Sequence, residues 1–240
     1  MVSKKVISDI VSKYSLGNNI EKVKWVINGK KLLINFINDS KNLVGYIDYR
    51  KDIGLKNGDY GIFNTSQLIK CLNILDGDIL VDVNSSKLNL ADTNYEIKFN
   101  LADPAVIPGT PDIKDPEQFS VSFEISDEFI TRFVKSKDAL SDLDTFTVET
   151  RDGFNGEELV FTVGTNITNT IEFTVENAKI NESFEPIPFD SNLLKEILKA
   201  NRTYHSGEIR INKKGLLDAH LHHGDDLYTG YYLVRRQENN

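Results

Sequence analysis

One cysteine, one methionine and one tryptophan occur in 240 residues, and only six residues are proline. A lone cysteine excludes an internal disulfide and suits a reducing compartment. No apolar run approaches the roughly 18 residues that a membrane-spanning helix needs. The opening stretch MVSKKVISDIVSKYS is amphipathic and has neither the apolar centre nor the small-residue cleavage site of a signal peptide. These absences lead us to expect a soluble, cytoplasmic protein. Net basic charge is lacking too: the formal charge is −8, so whole-molecule attraction to nucleic acid or anionic membrane is not expected. A local basic surface on an acidic body remains open.

Catalytic signatures are missing as well. Gly58, Gly61 and Gly77 stand singly, as turn glycines do, and no glycine-rich phosphate loop or Gly-x-Ser-x-Gly elbow appears. Cys71 falls on an apolar helix face without a base nearby in sequence, which reads as a core residue. Carboxylates are plentiful but none pairs in a recognisable acid/base arrangement. No catalytic residue, cofactor or metal is expected, and the chain reads as a non-enzyme. What is present is globular composition, 40% hydrophobic and 27% charged, in a length that suits one large domain or two of about 120 residues.

The chain repeats itself. Closely spaced apolar residues one helical turn apart occur four times: Val6, Ile7, Ile10, Val11; Leu68, Ile69, Cys71, Leu72; Phe129, Ile130, Phe133, Val134; and Leu193, Leu194, Ile197, Leu198. The sets recur at intervals of about 60 residues, the signature of a repeated unit. Ser3, Asn64, Ser126 and Asp190 precede them as candidate N-caps. Between these helices the hydrophobic period changes to two. Trp25–Ile27, Lys31–Ile37, Leu43–Tyr49, Asp78–Val83, Lys87–Leu90 and Tyr95–Phe99 read as strands in the first half. Thr145–Glu149, Glu158–Val163, Thr170–Val175, Glu208–Ile211, Leu216–Leu221 and Tyr228–Val234 repeat the arrangement in the second.

Laid over one another, the halves bring Phe63-Asn64-Thr65 onto Phe189-Asp190-Ser191, and Leu68 and Leu72 onto Leu194 and Leu198. Four of the six prolines lie in Asp103–Pro116, which favours extended backbone outside a sheet. The expectation is an α+β chain: a first domain over 1–103, a connector over 104–117 and a second domain over 118–240. Each domain would hold two helices on curved antiparallel sheets.

This plan resembles the DNA sliding clamps, and in size and domain number the clamps of T-even-type bacteriophages. The nearest local likeness is Gly61–Leu75, continuing through Lys87–Ile97 to Ala102-Asp103-Pro104. In that family a helix, a hairpin with an Ala-Asp turn and an Ala-Asp-Pro entry to the connector follow in this order. The resemblance implies a ring of six similar domains around duplex DNA, built here as a homotrimer. Its helices would line the hole. Its partners would be double-stranded DNA bound without base readout, a DNA polymerase and a clamp loader. A viral origin would place it in the host cytoplasm.

Ten cations fall on helix positions off the apolar stripes or just past the helix ends: Lys4, Lys5, Lys13, Lys70, Arg132, Lys135, Lys137, Lys195, Lys199 and Arg202. On the clamp reading these face DNA and touch phosphate alone, which lets a ring slide. The plainer alternative is that lysines decorate solvent faces of any helix. Asp9, Asp127, Glu128, Asp138 and Glu196 dilute the basic faces. The resemblance also implies a pocket beside the connector that receives partner peptides, and Val106, Ile107 and Ile113, apolar among prolines and charges, are its candidates here. Equally, they could pin the connector to a sheet. Strand alternation puts Asp218, His220 and His222 on one face, the one cluster with metal-ligand chemistry, though no fourth ligand is visible. Two other readings compete with the clamp: a duplicated β-rich structural or ligand-binding protein of a virus, and a zinc enzyme using the histidine strand.

Overall fold

Four helices form where the paired apolar residues stand: α1 (Lys4–Ser15), α2 (Thr65–Ile74), α3 (Asp127–Ala139) and α4 (Ser191–Ala200). The computed structural model describes residues 1–84, 86–111, 118–154, 156–165 and 167–237. Side chains fix three of the helix starts. Asn64 accepts from the Gln67 N–H, Ser126 from that of Phe129, and Asp190 from those of Asn192 and Leu193. A cap of this kind satisfies an N–H that the first turn leaves without an intrahelical partner and contributes about 1 kcal/mol. Ser3 departs from the pattern. It makes no side-chain cap bond, and the Lys4 N–H donates instead to the Gly77 carbonyl at 3.0 Å.

Strands fill the intervals. The first half holds β1 (Val2–Ser3), β2 (Val23–Asn28), β3 (Lys31–Ile37), β4 (Leu43–Tyr49), β5 (Gly58–Ile62), β6 (Asp78–Asn84), β7 (Lys87–Ala91) and β8 (Glu96–Asn100). The second holds β9 (Val121–Glu124), β10 (Thr145–Gly153), β11 (Gly156–Val163), β12 (Ile171–Val175), β13 (Lys179–Ile180), β14 (Ile187–Asp190), β15 (Ser206–Asn212), β16 (Leu216–His222) and β17 (Leu227–Val234). Among them β1, β5, β9, β13 and β14 escape the sequence reading. Two of these are only two residues long, β5 carries two glycines, and β9 runs almost directly into the cap of α3. Pro188 argues against β14, but that strand lies at the end of its sheet, where proline is tolerated.

Two compact units result: Met1–Pro111 with His223–Thr229, and Asp112–His222 with Gly230–Asn240. In the first unit the sheets run β1-β6-β7-β8 and β4-β3-β2-β5. In the second they run β9-β15-β16-β17, with β13 added beside β9, and β12-β11-β10-β14. Strand for strand the two orders correspond. The repeat seen in the helices therefore extends to the complete topology of each unit.

The cores differ in chemistry. Aliphatic side chains dominate the first unit, where Ile7, Ile10, Val11, Ile34, Ile47, Leu68 and Leu72 are buried around Tyr14 and Trp25. Phenylalanines fill the second. Phe129 lies 4.9 Å from Phe123 and 5.2 Å from Phe161 between ring centroids, and Phe133 lies 5.1 Å from Phe146. Edge-to-face pairs of this kind add about 0.5–1.5 kcal/mol each beyond the area they bury. Among the described residues no helix is long and apolar enough to cross a membrane.

Candidate nucleic-acid interface

α1 packs beside α2 in the first unit and α3 beside α4 in the second. Each helix turns its apolar stripe onto the core, which leaves an outer face to solvent. The ten cations expected there fall into three groups.

Lys5, Lys70, Lys135 and Arg202 are exposed and carry no ion pair among the described residues. Four others have nearby partners. Lys195 pairs with Asp138, holding that carboxyl below its usual range. Lys199 stands 3.9 Å from Glu196, and Arg132 pairs with Glu128 while donating from Nη1 to the Thr174 carbonyl at 3.4 Å. Lys4 Nζ donates to the carbonyl of Leu75 at the C-terminus of α2, at 2.5 Å.

The last two correct the sequence expectation of an exposed face. Lys13 is 0% exposed, with Nζ 2.5 Å from Asp9 Oδ1, and Lys137 is 1% exposed. Lys137 Nζ donates to the carbonyls of Ser141 at 2.8 Å and Leu140 at 3.4 Å, just past the end of α3. Burial, reinforced by the charge of Lys195, pulls its pKa down. The signal was in the spacing. Lys137 follows Phe133 by four positions and Ile130 by seven, which puts it on the apolar stripe. Its methylenes pack in the core while the ammonium answers carbonyls at the negative end of the helix.

The acidic residues that dilute the faces are themselves largely engaged. Asp9, Glu128, Asp138 and Glu196 each face one of the cations just named. Lys5, Lys70, Lys135 and Arg202 are left as cations not offset by an ion pair.

The connector begins with a single 3-10 turn at Pro104–Val106 rather than extended chain, and the Asp103 carboxylate accepts from the Ala105 N–H at 2.9 Å. Its two described apolar residues part company. Val106 is 58% exposed, whereas Ile107 is half-buried beside β5. There Gly61 lies so close to Ala102 that an added Cβ would stand 2.6 Å from the Ala102 oxygen. Ile113 lies outside the described residues.

The histidine strand is committed elsewhere. Asp218 is fully buried, accepts from Arg210 Nε at 2.8 Å, and has Oδ1 2.5 Å from His220 Nε2. Among the described residues no group of three His, Cys, Asp or Glu side chains is arranged to hold a metal. Cys71 is half-buried on α2, where burial pushes its thiol pKa up.

One feature of the second unit has no counterpart in the sequence reading. A cavity of about 510 Å³ lies against β12, with Phe129, Phe173 and Val175 in its lining and Arg132 at hand. Predicting it requires β9 and β13, which help wall it and are too short to show periodicity.

No protein-family model matches this chain, and no curated protein matches it. Solved structures do. One is the Proliferating Cellular Nuclear Antigen (PCNA) of Entamoeba histolytica, 15% identical, covering 98% of this chain and 96% of that one, with a TM-score of 0.72. Another is A. fulgidus PCNA with the C-terminal region of FEN-1 bound, 14% identical, covering 100% and 98%, with a TM-score of 0.76. At such identity the likeness establishes the fold. This chain has the α+β clamp fold of PCNA over its full length.

Proposed function

We propose that this protein is a DNA sliding clamp: a non-enzymatic ring that encircles duplex DNA and tethers a DNA polymerase. The observation that carries the reading is the strand-for-strand duplication, two units of corresponding sheet order (β13 added in the second) each with a helix pair, in a chain whose whole length has the PCNA fold. Three such chains supply six units, and we assign a homotrimer opened on DNA by a clamp loader. The narrower likeness to T-even-type phage clamps rests on Gly61–Leu75 and Lys87–Asp103 alone.

Within this ring the outer helix faces meet DNA. Lys5, Lys70, Lys135 and Arg202 make the phosphate contacts, with Lys195, Lys199, Lys4 and Arg132 as paired neighbours. The buried Lys13 and Lys137 hold the helices. At the connector, Val106 is the residue offered to partner peptides, and Ile107 anchors the turn that presents it.

The test is binding to duplex DNA as a function of salt, comparing the protein with a variant in which Lys5, Lys70, Lys135 and Arg202 are all alanine. Each phosphate contact contributes about 0.9 to the slope of log affinity against log salt. The variant is expected to stay folded with a slope smaller by up to about 3.6 for each chain of the ring, four such contacts per chain. An unchanged slope and affinity would show that these faces do not touch DNA.

A further inference from the structure

The two units start their second helix at equivalent nodes and fasten them differently. In the first unit the node is Glu21, ahead of β2. Its carbonyl accepts from the Thr65 N–H at 3.1 Å, and its carboxylate accepts from the Ser66 N–H at 3.0 Å. The acid therefore holds the first turn of α2 directly. In the second unit the node is Asp144, ahead of β10, whose carbonyl accepts from the Ser191 N–H at 2.9 Å. Its carboxylate, one methylene shorter, takes Arg236 instead, from the segment that leaves β17.

Arg236 grips this node at several atoms. Nη1 donates to the Asp144 carbonyl at 2.8 Å and to Thr145 Oγ1 at 3.0 Å, and Nη2 to Asp144 Oδ2 at 2.9 Å. The Arg236 N–H donates to the Pro188 carbonyl on β14 at 2.8 Å. One residue thus joins the strand before α4, the entry to β10 and, through the shared Asp144 carbonyl, the first N–H of the helix. The guanidinium fork suits this geometry, and it holds the Asp144 carboxyl below its usual range.

The first unit has no such fastener, although the segments leaving β8 and β17 run alike. The Leu101 N–H donates to Ser86 and the Ala102 N–H to Gly61, as the Arg235 N–H donates to Gly215 and the Arg236 N–H to Pro188. Ala102 thus stands where Arg236 stands, with a side chain too short to reach Glu21. The backbone holds the second segment lightly. Pro188 has no N–H to return the bond, so the pairing does not continue there as a ladder. The side-chain pair is open to water as well, with 58% of the Asp144 side chain and 32% of that of Arg236 exposed. Pairs of this kind contribute little and are screened by salt. The join closes at low salt and opens at small cost.

We propose that Arg236 is a positioning residue for α4: it clasps the start of the helix that carries Lys195 and Lys199 and leads to Arg202, and the grip on duplex DNA depends on the clasp being closed. This deepens the clamp reading, on which it rests. Asp190 still caps α4 when the clasp opens, since it accepts from Asn192 and Leu193 independently of Arg236. Opening therefore loosens the seat of the helix and leaves the helix itself intact. Its cations lose their fixed placement, and ordering them again on DNA costs affinity.

The experiment compares the full chain with Arg236→Ala and Arg236→Lys, reading amide hydrogen exchange and binding to duplex DNA. Arg236→Ala should quicken exchange of the Ser191 N–H about tenfold and leave that of Thr65 unchanged, which serves as the control for folding. Raising salt should quicken exchange at Ser191 in the parent and not in the alanine variant, a response that a packing role alone would not give. Duplex affinity at low salt should fall about three- to tenfold. Arg236→Lys should restore both readouts in part, because one ammonium cannot meet carbonyl, hydroxyl and carboxylate together. Unchanged exchange at Ser191, or exchange quickened equally at Thr65, would overturn the clasp. Exchange quickened at Ser191 alone, with duplex affinity intact, would overturn its part in the grip. A parent that binds no duplex at any salt would instead bring down the clamp reading, and exchange at Ser191 would still report separately on the fastening.

Discussion

Lys135 and Lys137 stand two positions apart on α3 and serve opposite ends. Lys135 is exposed, while Lys137 is 1% exposed and bonded to carbonyls beyond the helix. Truncating Lys137 to alanine removes charge-assisted bonds and packed methylenes, so urea unfolding should show a loss of about 1–3 kcal/mol. Lys135→Ala should leave stability within about 0.5 kcal/mol, as exposed substitutions usually do. Equal effects at the two sites would contradict their placement. Asp92 gives a second expectation at this scale. N–H groups of Asn94, Asp76 and Tyr95 hold its carboxyl below the usual range. A depressed folded-state pKa means stability that is present above the unfolded value, near 4, and lost as pH falls through the folded one. Asp92→Asn should therefore flatten the acid limb of the stability profile below about pH 4. An acid limb as steep as that of the parent would show that Asp92 does not carry it.

At the level of elements, the connector sets an exposed and a half-buried apolar residue side by side. Val106→Ser alters an exposed side chain and should leave the unfolding midpoint unchanged while weakening polymerase-peptide binding. Ile107→Ser removes a half-buried side chain beside Gly61 and should lower the midpoint by several degrees. The reverse pattern, measured by thermal unfolding and peptide titration, would reverse the assignment. The helices were legible in sequence because paired apolar residues and capping side chains agree, as at Ser126 and Phe129. The long strands were legible because one face of each is buried. β5, β9 and β14 were not, since four or five residues carry too little periodicity, and glycine in β5 and proline in β14 weaken it further. Exposure was harder still. Counting cations on helix segments put Lys13 and Lys137 outside, although their spacing from Ile10, Ile130 and Phe133 already placed them near the apolar stripe. The cavity beside β12 was out of reach, since part of its wall comes from β9 and β13, which are too short to read.

The chain carries two copies of one sheet order, with β13 added in the second, and among the described residues β8 and β12 each end a sheet. Exposed strand edges invite pairing, and a chain with two complementary ones must either find other copies or have those edges guarded. Head-to-tail pairing closes into a ring when the rotation per chain divides the circle, and two units per chain give six units in a trimer. The measurement that bears most directly on this is particle imaging of the purified protein at micromolar concentration. Closed rings of six similar lobes around a hole wide enough for duplex DNA are expected, each ring holding three chains of 27.2 kDa. Single two-lobed particles at every concentration, or filled assemblies without a central hole, would contradict it.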